Sequence, residues 1–91
     1  MPLPYFRDGE RYVLIASFGG NDKNPAWFVN LAANPQVQLQ VGFRRMHARA
    51  TVLEGAERDR VWGKVSYDFP RYLTYQAKTQ RQIPVVLLEP V

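Results

Sequence analysis

The chain is predicted to be mainly β with helices, an α+β protein whose antiparallel sheet curls into a small barrel with helices on the outside. Three observations carry that expectation. Asp8-Gly9 stands between two β-rich runs in "LPYFRDGERYVLIASF", a strong hairpin signal. Residues 36–41, "QVQLQV", alternate polar and apolar without exception, and residues 54–68 switch to helical period. The resulting order, β-β-α-β-β-α-α-β, supplies hairpins rather than the crossovers of a parallel doubly wound sheet.

Each element has its own local reason. Strands are expected at residues 3–7 and 11–18, and residues 12–15 are nearly all apolar, as a strand covered on both faces requires. After Gly19-Gly20, Asn24 is expected to cap a helix whose first position is Pro25, where a missing N–H costs nothing. Trp27, Phe28, Leu31 and Ala32 give it an apolar stripe, and Asn34-Pro35 stops it. Val37, Leu39 and Val41 should then face the core. A turn near Gly42 leads to a strand over residues 45–53 with Arg45, His47 and Arg49 on one face. The next helix carries Val61, Trp62, Val65 and Phe69 on one stripe. Pro70 breaks it, a shorter helix carries Tyr72 and Tyr75, and "IPVVLLEP" returns as a strand with Pro84 at its start or on an edge.

Composition limits the chemistry. The 91 residues suit one domain, and a chain of this size buries about 60 to 65% of its unfolded surface. With no cysteine, disulfides, iron–sulfur clusters, thiolate zinc sites and thiol redox chemistry are excluded. A single histidine, His47, supports neither a zinc set nor a Ser-His-Asp arrangement, so no metal site is expected. Apolar runs are far shorter than a membrane span, and a cytoplasmic protein without membrane insertion is the expectation. The net charge of +4 favours anionic partners. The strip Arg44, Arg45, His47 and Arg49 lacks the interleaved aromatics of single-strand binders and reads as a solvated face, not a nucleic-acid footprint.

Two stretches remain as candidate sites. In "ASFGGNDKNPAWFVNLAANP" the glycines allow close backbone approach to a ligand, a helix start points N–H groups outward, and Lys23 adds a full positive charge. The residues alone leave an anion cradle and a plain connector equally open. Phe69, Tyr72 and Tyr75 recur at i, i+3 and i+6, as a packed aromatic face or as a half-polar pocket wall beside Gln76, Lys78, Thr79 and Arg81.

The blocks "DGERYVLIASFGG", "KNPAWFVNLAANPQVQLQVG", "ARATVLEGAERDRVW" and "FPRYLTYQAKTQRQIPVVLLEP", in this order, closely resemble the deazaflavin-dependent nitroreductase family of actinobacteria. The resemblance implies a split β-barrel like that of FMN-binding oxidases. It also implies an oxidoreductase that uses coenzyme F420 to pass a hydride to a quinone, an activated alkene or a nitro compound. Position by position it implies cofactor contacts at Ala16, Ser17, Gly19, Gly20, Lys23, Asn24, Pro25, Ala26 and Trp27, and catalytic positions at Ser17, Tyr72 and Tyr75. Phe18 and Phe69 replace more polar residues common in the family, which makes the implied acceptor pocket more apolar.

Family members also carry an N-terminal segment with a Gly-Arg-Lys-Ser/Thr-Gly loop before the position of Pro2-Leu3. Three expectations follow for this chain: a longer encoded start, a site completed by a second chain, or loss of tight F420 binding. A sheet edge left open by that segment predicts a homodimer. An FMN-dependent oxidoreductase on the same fold and a non-catalytic dimeric ligand-binding module are the rival expectations.

Overall fold

The computed structural model describes residues 5–91. In chain order the elements are β1 (Phe6–Asp8), β2 (Arg11–Ile15), a 3-10 turn (Phe18–Gly20), α1 (Ala26–Ala33), β3 (Gln36–Val41), β4 (Arg44–Val52), α2 (Gly55–Asp68), α3 (Arg71–Ala77) and β5 (Val85–Pro90). The strands form one antiparallel sheet in the order β1-β2-β5-β4-β3. The order of elements and the antiparallel α+β class are those expected from the sequence. Among the described residues β1 and β3 are free edges, so these strands make an open sheet with no ladder closing it into a barrel.

The strand patterns explain the layers. β5 lies at the centre, and Val85, Val86, Leu87 and Leu88 are each at most 3% exposed, because helices cover the sheet on both sides there. Val13, Ile15, Val85 and Leu87 face α2 and α3 and pack with Val61, Val65, Tyr72 and Ile83. Tyr12, Leu14, Val86 and Leu88 point the other way, with Ala48 and Ala50, toward Leu31 of α1. Successive residues of β2 and β5 thus alternate between two cores, which is why both strands read as continuous apolar runs. Val37, Leu39 and Val41 join the second core as half-buried side chains, while Gln36, Gln38 and Gln40 are exposed opposite Arg49, His47 and Arg45.

Beyond shifts of one or two residues at β4, α2 and β5, three boundaries differ from the sequence expectation. The first strand begins at Phe6 and reaches Asp8; its expected start at residues 3–4 lies outside the described residues. β2 ends at Ile15 rather than 18, because the chain turns sharply where Phe18 (φ 46°) and Gly19 (φ 62°) take left-handed backbone conformations. α1 starts at Ala26, with Pro25 rather than Asn24 at the cap position and no side chain capping it. Asn21 does the local polar work instead, its Oδ1 accepting from the Lys23 N–H at 2.9 Å.

An ion-pair network ties the β1–β2 turn to α2. Asp8 accepts from Arg11 at 2.8 Å and from Arg60 at 2.9 Å, and Arg60 also reaches Glu57 at 2.7 Å. The Arg60 hydrogen bond, with Arg11 beside it, holds the Asp8 carboxyl at about 2, below its ordinary 3.8.

Candidate functional site

The candidate site grows from the end of β2. Ala16 is fully buried and its N–H still donates to the Pro84 carbonyl at 3.0 Å, so the strand pairing carries one residue past the ladder. The chain then turns: the Gly20 N–H donates to the Ser17 carbonyl at 2.9 Å and the Asn21 N–H to Phe18 at 3.1 Å. Gly20 has φ 84°, and a Cβ there would stand 2.8 Å from the Tyr75 carbonyl oxygen. Only glycine allows both that conformation and that approach, and the result docks the loop on the C-terminal end of α3. Gly19 also has positive φ but is exposed, with open space where a Cβ would point.

Arg81 fixes the other side of the loop. Its Nε donates to the Asn21 carbonyl at 2.8 Å, Nη1 to Ala16 at 3.2 Å and Nη2 to Ser17 at 2.9 Å. Burial lowers the tendency of this guanidinium to hold its proton, against the opposing pull of Asp22. Gln76 anchors the Arg81 segment in turn, donating to the Arg81 carbonyl at 2.7 Å and accepting from the Ile83 N–H at 2.9 Å.

The tyrosines sit on the same side. Tyr72 is 4% exposed, in the first core, and its ring meets Phe6 and Tyr75 edge-on at 5.8 Å each. Phe69 completes the row 5.1 Å from Phe6, and Arg71 lies over both Phe69 and Tyr72. The row is thus chiefly an aromatic packing face. Tyr75 stays half-buried beside the Gly20 loop.

The structure therefore brings Ala16, Ser17 and Gly20 together with α3 and its tyrosines, through the contact of Gly20 with Tyr75. Lys23, Asn24 and Ala26 are exposed on the run into α1, whose first N–H groups carry no side-chain cap. Trp27 lies apart from the tyrosines, packed in the second core. It lines a groove of about 850 Å³ with Leu14, Leu31, Val37, Leu39 and Leu88.

Sequence reasoning named Gln76 and Arg81 only as polar neighbours of the tyrosines and missed what they hold, and it missed Arg58 altogether. Arg81 acts on a loop some 60 positions earlier and leaves no local signal. Gln76 is equally silent. Arg58, inside what reads as a charged first turn, is 6% exposed, donates to the Ile83 carbonyl at 2.7 Å and lies over the Trp62 ring. Its spacing of three from Val61 and seven from Val65 was the available clue, since that places it on the buried stripe.

The geometry is thus that of an open antiparallel α+β sheet in which a clamped glycine loop, docked on α3, leads into an uncapped helix start. Comparison with known proteins narrows this to a family. The family model "F420H(2)-dependent quinone reductase" matches residues 1–90, and the chain belongs to that family. An F420H(2)-dependent quinone reductase of Mycobacterium tuberculosis is 42% identical over 89 residues, which cover 94% of this chain and 60% of that protein. Among solved structures, an F420-H2 dependent reductase superposes with TM-score 0.87 at 39% identity, over 98% of this chain and 79% of its own. A domain-swapped dimer superposes equally well, TM-score 0.87 at 39% identity, over 98% of this chain and 67% of its own. The chain thus spans about 60% of the length of the curated relative.

Proposed function

We propose that the chain is an F420-dependent reductase of small organic acceptors: quinones first, with activated alkenes and nitro compounds as further candidates. The observation that carries this reading is the family match along residues 1–90. The loop chemistry fits it. Gly19 leaves open space, Lys23 is exposed, and the uncapped N–H groups of α1 present partial positive charge, a donor set suited to the cofactor's phosphate.

On this reading Gly19, Lys23, Asn24 and Ala26 hold the anionic part and Ser17 and Trp27 flank the ring, while the buried Ala16, Gly20 and Pro25 shape the backbone behind them. When bound, reduced deazaflavin supplies the hydride. The chain's own residues bind, orient and exclude water. Ser17 and Tyr75, both half-buried, serve as the catalytic positions on the acceptor side, and Tyr72, expected there too but buried in the core, supports them so that the wall beside the loop is rigid. The open edges β1 and β3 and the domain-swapped neighbour support a homodimer, against which a clean monomer in light scattering at micromolar concentration would count. Among the described residues no helix is long and apolar enough to cross a membrane.

Titration with F420 and with FMN, followed by quenching of Trp27 and Trp62 fluorescence, tests the reading. Saturable F420 binding with weaker FMN binding is expected. FMN preference would make the chain an ordinary flavin reductase, and binding of neither would overturn the proposal.

A further inference from the structure

We propose that Arg81 is the positioning residue of the cofactor site: its guanidinium fork orients the peptide groups of the Ala16, Ser17 and Asn21 carbonyls and locks the glycine loop to α3. This rests on the proposed function above and deepens it. In a trans peptide the C=O of one residue and the N–H of the next point in opposite directions, and this chain has no cis peptide among its described residues. Turning the carbonyls of Ala16, Ser17 and Asn21 onto Arg81 therefore turns the N–H groups of Ser17, Phe18 and Asp22 away from it. Among the described residues none of those three amides has a hydrogen-bond partner within the protein. They are left as oriented donors on the side of the loop away from Arg81.

The fork is itself held. Gln76 grips the Arg81 carbonyl, Thr79 Oγ1 accepts from the Arg81 N–H at 3.3 Å, and Gly20 abuts the Tyr75 carbonyl. Loop and tyrosine helix thus form one unit joined at Arg81 and Gly20. The left-handed conformation of the exposed Phe18 is maintained inside this unit, where the surroundings over-determine it. A lysine ammonium also has three N–H donors, but all on one nitrogen at the end of a flexible stem, so it cannot span three carbonyls as the rigid planar fork of Nε, Nη1 and Nη2 does.

The test compares wild type, Arg81→Met and Arg81→Lys, each checked for retained secondary structure and cooperative melting. Amide hydrogen exchange on the ligand-free chain reads the clamp. Exchange at Gly20 and Asn21 is expected to quicken about tenfold in both variants, with Val86 and Leu88 unchanged. F420 titration reads the consequence: dissociation constants about tenfold higher in both variants. If Arg81→Lys binds F420 as wild type does, the role is charge and the positioning proposal is overturned. Unchanged exchange in Arg81→Met overturns it as well. Wild-type chain that binds no F420, while exchange at Gly20 and Asn21 still responds, overturns the cofactor reading and leaves the clamp as a loop-ordering contact only.

Discussion

Beneath α2 and α3 the sheet presents Val13, Ile15, Val85 and Leu87, and Val61, Val65, Tyr72 and Ile83 close over them. Beneath α1 it presents Tyr12, Leu14, Val86 and Leu88, but Leu31 is the one buried residue of that helix, and Trp27, Phe28, Val37, Leu39, Val41 and Met46 remain partly exposed. One side is a finished core and the other holds an open groove beside an edge strand. The difference separates two tasks. Stability is concentrated where two helices cover the sheet, and the thinner side leaves apolar surface partly exposed. The glycine loop crosses between them at the end of β2, attached to the finished side through Arg81 and Gly20.

The largest expected effect sharpens that contrast directly. Ile83→Ala, in the fully buried core, should cost about 2–5 kcal/mol in denaturant unfolding, whereas Leu39→Ala on the open side should cost about 1 kcal/mol. Equal losses would mean that the two sides are equally finished. Gly20→Ala should follow at about 1–3 kcal/mol, from a strained backbone and a clash with the Tyr75 carbonyl, and should weaken F420 binding more than Leu39→Ala does.

The smallest effect lies at the β1–β2 turn. Asp8→Asn should cost under about 1 kcal/mol at neutral pH, since its arginine partners are substantially solvated. Its pH dependence has a definite sign. A carboxyl held at about 2 when folded, against 3.8 ordinarily, contributes stability above pH 3.8 that disappears as pH falls through about 2. The variant should therefore show a shallower acid loss in that window, and an unchanged acid profile would mean the network is not maintained in solution.

What could be read in the sequence follows the same division. Period-2 and period-3.6 patterns record which residues meet a core, so the order of elements, the doubly buried β2 and the Asp8-Gly9 hairpin were legible. Boundaries were less so, because Pro25 serves as the cap position that Asn24 was expected to fill, and because the turn at Phe18 requires a left-handed aromatic residue that no propensity favours. Barrel closure was not legible as a property of these strands: β1 and β3 end as edges among the described residues. At the site, the glycine loop was visible as a motif, but its anchoring was not. Arg81 and Gln76 work through backbone groups of distant residues, and backbone partners leave no side-chain pattern to recognise. Trp27 and Tyr72 both read as site aromatics, yet they belong to different cores, a separation set by which way the sheet's side chains alternate.

The central claim is that the glycine loop and the start of α1 together hold F420. Amide chemical-shift mapping during an F420 titration tests it most directly. The expected result is saturable shifts at Ser17, Phe18, Gly19, Gly20, Ala26 and Trp27, with β3 and the Asp8 turn unmoved. Saturable shifts confined to the β3–β4 hairpin, or no saturable shifts at all, would contradict it.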